Sequence, residues 1–442
     1  MRNGAIKGGF RLAPAITCAL IAMFSLAAAA RAEFNWRKYE GQTIRVILAK
    51  SAFTPMNLKQ IQEFEKATGI KVVHEHYGSD PLRNKLLMEL AAKNKDLDVF
   101  QGMMKTNHQY HKAGWLEPLD AYLKDPALTS PDYDYADFYP KILTVIDGQT
   151  MGITTSVNTM VLMYRRDLFE QHGVKVPTNW PEMEAAAKKL TLDTDGDKKT
   201  DVYGWIARMD AENTAPFANF LFSNGARWLD EKRRPAFNSP EAVEAMKFYG
   251  RLLKEYGPIG GSTIGWKEVI GAFAQGKAAM TVEISIFAQM VLEDPKQSKV
   301  VGKVGYALFP PAKPQNAMTM VPTNTLHIGS HSEKKEAAWY YIQFMTDKAH
   351  MLEAHLNGLH SSRKSSWQDP KWKLADKLPE LTRIVLQGFE NGLVDFEIPI
   401  AGFVEARQHL NQVIFTAYEG GDVKKAADQA VKDVAEIMKR TD

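Results

Sequence analysis

Cysteine is nearly absent from this chain of 442 residues, and Cys18 is the only one. It sits in an N-terminal apolar run that is expected to be removed, which leaves no thiol. Disulfide staples, cysteine nucleophiles, iron–sulfur clusters and Cys-zinc sites are then excluded. Long hydrophobic runs are absent beyond that first segment, so no later stretch suits a membrane-crossing helix. Gly/Ser-rich linkers, low-complexity tracts and obvious repeats are also absent. That argues against two domains on a flexible string. No nucleophile-and-base constellation stands out, and no catalytic residue is assigned.

Excess charge of either sign is missing as well. The chain has 55 Lys+Arg and 52 Asp+Glu. Arg2, Lys7, Arg11 and Arg31 are the charged residues of positions 1–32, so the rest carries 51 basic against 52 acidic side chains. Nothing here draws nucleic acid or anionic lipid. Positions 1–32 have the layout of a secretory signal. Arg2, Lys7 and Arg11 form a positive start, Leu12–Ala30 is apolar, and Ala30-Arg31-Ala32 fits the cleavage site. A membrane anchor is the rival, but Pro14 and the small-residue tail favour cleavage. Cys18 lies too early in the run for lipid attachment.

What is present is α/β alternation. Thr43–Leu48 is β-rich. Leu58, Ile61 and Phe64 recur at helical spacing before a stop at Gly69. Ile70–His76 reads as strand, Pro81–Lys93 as helix and Asp96–Gln101 as strand. This order predicts a parallel sheet flanked by helices. A chain this long exceeds one compact core, so two lobes are expected. Ligands on such sheets sit beyond the carboxyl ends of the strands. Ser51, Asp80 and Gln101 fall at those turns, where each is a ligand contact or simply a helix cap or solvated turn.

The segment Val269–Glu283, VIGAFAQGKAAMTVE, is the most informative. Gly271, Gly276 and Lys277 have the spacing of a phosphate loop, but Ala278 stands where the hydroxyl residue is needed. A helix stopped by Gly276, then a buried strand Ala278–Val282, is the better reading. The segment resembles a signature of the extracellular solute-binding proteins of bacterial ABC importers, in the sugar-carrying, maltose-binding-protein-like group. Gly114–Leu119, Gly148–Phe169, Pro177–Met183, Glu336–Met345 and Leu359–Lys364 are similar to other parts of that family in order and spacing.

The resemblance implies a two-lobed periplasmic-binding-protein fold of type II, α/β, each lobe a mostly parallel sheet flanked by helices. Lobe one would hold residues 33–153 plus 304–348, and lobe two 154–303 plus 349–442. Hinge crossings are expected near Gly152–Thr154, near Val304–Leu308 and before Leu359. It further implies hinge closure on a small carbohydrate, delivery to membrane permease subunits, a periplasmic location, a monomer and no enzymatic activity. Thr155, Ser156, Thr323, Asn324 and Arg363 fall on the loops that line the family's cleft. Arg363 would hold a pair of hydroxyls, or a phosphate or carboxylate.

Trp228 and Trp266 flank polar or Gly-rich loops and are candidates for stacking on a sugar face, with core packing as the alternative. Glu283, followed by Ile284 and Ser285, ends an apolar run and would accept hydroxyl hydrogen bonds, unless it is a structural ion pair. No cofactor is required, but a structural calcium is possible. Asp193, Asp195 and Asp197 take positions 1, 3 and 5 of a calcium loop, the Lys199 carbonyl position 7 and Asp201 position 9. Gly196 at position 4 and Gly204 at position 12 depart from that pattern. Two rivals stay open: a carrier of glycerol phosphate or acidic oligosaccharide, and a secreted glycan-cleaving enzyme.

Overall fold

The computed structural model describes residues 33–442 apart from 261, 262 and 395, together with every side chain there except that of Asp80. The expected signal in residues 1–32 lies outside the described residues. Among the described residues there are nine strands: β1 Thr43–Ala49, β2 Lys71–Tyr77, β3 Val99–Met103, β4 Thr144–Ile146, β5 Gln149–Val157, β6 Met160–Arg165, β7 Met280–Ile284, β8 Val304–Ala307 and β9 Thr323–Ile328. They form a six-stranded sheet in the order β2-β1-β3-β9-β5-β4 and a three-stranded sheet in the order β7-β6-β8. Among the described residues, no helix is long and apolar enough to cross a membrane.

The first units follow the alternation expected. Helix α1, Thr54–Thr68, buries Ile61 and Phe64 and ends at Gly69, whose φ of 72° suits a glycine. Helix α2, Ser79–Ala91, and helix α3, Met104–Lys112, follow β2 and β3. Asp147 and Gly148 both have positive φ, the two-residue turn that closes the β4–β5 hairpin.

The sheets are not mostly parallel. Only β1–β2 and β1–β3 pair in parallel, whereas β3–β9, β5–β9, β4–β5 and both pairs of the smaller sheet are antiparallel. The cause is the chain path. Strands that leave one lobe and return to it run against those laid down first, and a hairpin needs no crossover helix.

The crossings also fall later than expected. β5 stays paired with β9 through Val157, so the first crossing is Asn158–Thr159 and not Gly152–Thr154. β8 pairs with β6 in the smaller sheet, so the return runs through residues 308–322 and not Val304–Leu308. The helix Lys348–Leu356 still packs on lobe one, where Glu353 pairs with Lys59 and bonds Gln60. The third crossing therefore follows Leu359. The three strands of chain lie side by side. Asn158 N–H donates to Pro322 O, Met160 N–H to Met320 O, and Val157 N–H to His360 O, at 2.9, 2.8 and 3.1 Å.

Candidate functional site

A cavity of about 450 Å³ opens between the two sheets, beside the crossings. Its floor on one side is the carboxyl ends of β1, β3 and β5, and on the other the end of β7 and the loop after it. Residues from both lobes and the crossings face it, which is where closure of two lobes would enclose a ligand.

Six of the sequence candidates line this cavity directly: Ser51, Gln101, Thr155, Ser156, Thr323 and Asn324. The Gln101 side-chain oxygen accepts from Ala49 N–H at 3.1 Å, and Asn324 donates to Ser156 Oγ at 2.9 Å. Trp266 also lines it, stacked on Phe287 with ring centroids 5.1 Å apart and planes 11° apart. The pair presents the flat apolar surface that C–H faces of a polyhydroxylated ligand favour. The backbone of Asp80 lies in α2, but its side chain is outside the described residues.

Four candidates lie elsewhere, for physical reasons. Trp228 is buried in lobe two and donates its indole N–H to Phe396 O at 2.6 Å. Ser285 is buried at the crossing, where its hydroxyl accepts from Thr159 N–H at 3.1 Å and meets His360 Nδ1 at 3.1 Å. Arg363 is buried under Tyr133 and Phe138. Its guanidinium donates to the carbonyls of Thr346, Asp134 and Tyr133 and pairs with Asp137. A cation so enclosed cannot reach an anionic ligand. Glu283 is fully buried and grips Arg208 with both oxygens, at 2.5 and 2.6 Å. The ion-pair alternative for Glu283 is the one found.

That pair reveals cleft residues that sequence reading missed. Arg208 lines the cavity with Lys105, Glu212, Asn158 and Glu397. Burial alone would lower the Arg208 pKa, but Glu283 raises it instead. Burial would raise the Glu212 carboxyl, yet Lys105, then Arg208 and Arg407, hold it down at about 2. Burial pushes the Glu397 carboxyl up. Four polar atoms of residues that line the cavity have no protein partner: Asn158 Oδ1, Thr323 Oγ1, Glu397 Oε2 and the Tyr341 hydroxyl. Asn158, Thr323 and Glu397 are only 6%, 3% and 4% exposed, and Tyr341 is fully buried. Buried polar atoms are normally bonded, so such a group points to partners brought by a ligand or by water.

The acidic loop stands apart from the cavity. Asp193, Asp195 and Asp197 each place one carboxylate oxygen within 4.8 Å of the others. Asp193 already accepts from the N–H groups of Gly196 and Lys198, while Lys199 N–H donates to Asp197. Asp201 turns toward Thr194, accepting from its N–H and hydroxyl. Three exposed carboxylates at alternate positions fit a hard cation, but the fourth acid of the expected set is directed elsewhere.

Three buried histidines surround the crossings. Burial first, with little to offset it, lowers His327 and His355 to about 4 and His360 to about 3, from 6.5. A histidine held neutral contributes stability above the unfolded value of 6.5, and that contribution is lost as pH falls toward the folded value. In an NMR titration these three rings are expected to remain neutral down to about pH 5, where exposed histidines are already protonated. Protonation of all histidines together near 6.5 would contradict this packing.

Comparison with known proteins agrees with this geometry. Residues 50–351 match the bacterial extracellular solute-binding proteins. A mannitol-binding protein of Pseudomonas aeruginosa is 29% identical over 276 residues, which cover 61% of this chain and 60% of that protein. A solute-binding protein of an ABC transporter from Agrobacterium radiobacter K84, solved with ribitol, is 28% identical with a TM-score of 0.78, covering 90% of this chain and 99% of that one. A counterpart from Agrobacterium vitis S4 with bound D-mannitol is 28% identical with a TM-score of 0.75, over 90% and 99% of the two chains.

Proposed function

Because the chain belongs to the bacterial extracellular solute-binding proteins, which bind and do not catalyse, we propose that it captures a small neutral polyol between its lobes. The cargo would be an acyclic sugar alcohol or a sugar of similar size, delivered to the permease of an ABC importer. The carrying observation is the set of partnerless atoms on Asn158, Thr323 and Glu397 around one cavity. A polyol offers a hydroxyl to each, and its C–H face suits the Trp266–Phe287 pair. The cavity of about 450 Å³ lies toward the small end of ligand pockets, which run to roughly 1,000 Å³. That favours a single short chain or ring over an oligosaccharide.

The named ligands of the relatives, mannitol and ribitol, support the same class. Mechanistically, ligand contacts from both lobes would favour the closed form by the difference in affinity between closed and open forms. Export to the periplasm, with removal of residues 1–32, completes the proposal. An anionic cargo finds no free cation in Arg363, which is enclosed by protein, and Lys105 and Arg208 at the cavity are already paired with Glu212 and Glu283.

Thermal melts against hexitols, pentitols, hexoses and their phosphates test the reading. Ligand near 100 times its Kd should add about 2.7 kcal/mol, seen as a rise in melting temperature. A response confined to phosphates or acids would overturn the neutral class. Repeating the melts with calcium and with chelator tests the acidic loop. Calcium there would raise stability without changing ligand affinity, because the loop does not line the cleft.

A further inference from the structure

Glu212 has an unusual position for a carboxylate at a cleft that takes neutral ligands. Lys105 approaches it at 2.9 Å, Arg208 at 3.5 Å and Arg407 at 3.9 Å. Lys105 belongs to α3 and comes from the opposite lobe, so the contact spans the cleft. Lys105, Arg208 and Glu212 all line the cavity. Glu283, behind Arg208, satisfies that guanidinium from the far side. Two carboxylates thus line the cavity, and Glu212, not the more deeply buried Glu397, is the one ion-paired with the cations gathered there.

We propose that Glu212 is a specificity residue, which keeps the cleft from accepting carboxylated or phosphorylated polyols. The proposal rests on the polyol reading above. With Glu212 ionised, an anionic ligand meets a like charge beside cations already paired. With that charge removed, Lys105 and Arg208 stand at the cavity without their shared counter-ion. An enclosed cavity screens charge less than open solvent, so an anion should then be drawn in. Lys105 works in the opposite sense. Its removal leaves Glu212 less compensated and the cleft more hostile to anions.

The test compares each hexitol with its aldonate: D-glucitol with D-gluconate, and D-mannitol with D-mannonate. Wild type, Glu212→Gln, Lys105→Gln and the double variant are titrated by calorimetry. Glu212→Gln is expected to shift the aldonate-to-hexitol affinity ratio at least tenfold toward the aldonate. Lys105→Gln should shift it the other way, and the double variant should fall between. A merely structural role would weaken both ligands equally and leave the ratio unmoved.

A ratio within twofold of wild type in the folded variants overturns the proposal. If Glu212→Gln does not fold, Lys105→Gln decides by the same ratio. A wild type that binds no neutral polyol sinks the polyol reading instead. The role of Glu212 is then judged on aldonate alone, and an aldonate affinity unchanged by Glu212→Gln overturns it.

Discussion

Glu283→Leu is expected to destabilise the fold by about 3–5 kcal/mol, the usual cost of leaving one buried charge without its partner. Arg208 is held by both Glu283 oxygens, at 2.5 and 2.6 Å, and both residues are buried. Glu212 is 3.5 Å from Arg208 and already shared with Lys105, and Asp210 adds only a weaker attraction. Neither replaces a bidentate partner. The loss should appear as a lower denaturant midpoint at unchanged slope. Arg208→Met together with Glu283→Leu removes both charges and should recover most of the stability, since an apolar pair often replaces a buried ion pair without penalty. Ligand affinity should not return, because Arg208 lines the cleft. A Glu283→Leu protein as stable as wild type would show that the pair is not the anchor described.

The second large effect separates binding from folding. Glu397→Ala should weaken polyol binding by about 1.5–3 kcal/mol, the range for a hydrogen bond to a charged or strongly polar group. That is a loss of roughly 10- to 150-fold in affinity. The unliganded protein should lose less stability than affinity, because burial disfavours the Glu397 charge and Oε2 has no protein partner, although Lys105, Arg407 and Thr214 lie beside the carboxyl. Most substitutions of buried residues do the reverse and cost stability first. A large fall in melting temperature without ligand would mean that Glu397 is structural.

The fold was largely readable because its signals are local. Apolar spacing and Gly69 predicted α1, and the segment ending at Glu283 predicted a helix, a glycine stop and a strand, found as Trp266–Ala274, Gly276 and β7. Strand direction was less readable, since whether β9 runs with or against β3 depends on how often the chain crosses between lobes.

Among the residues that line the cavity, Ser51 and Gln101 could be placed by counting along predicted strands, and Thr155 and Asn324 through the family resemblance. Burial partners could not. Glu283 and Arg208 are 75 residues apart, and nothing near either position signals the other. Glu397 lies beyond the segments that carry the family likeness, in a loop supported by Trp228 through Phe396. Trp228 therefore serves the cleft from behind, which a sequence alone does not distinguish from lining it. Arg363 looked free to bind an anion because its acceptors are main-chain carbonyls, which every sequence has everywhere.

One small neutral polyol is expected to bind between the lobes and to contact Asn158, Thr323 and Glu397. Calorimetric titration of the protein with mannitol and ribitol tests it most directly, with Glu397→Ala and the surface change Lys439→Ala in parallel. One ligand per chain is expected for at least one of the two, recovered unchanged. Binding should be lost or greatly weakened in Glu397→Ala and retained in Lys439→Ala. Binding that survives Glu397→Ala at full strength, or no binding of either polyol by the wild-type chain, would contradict it.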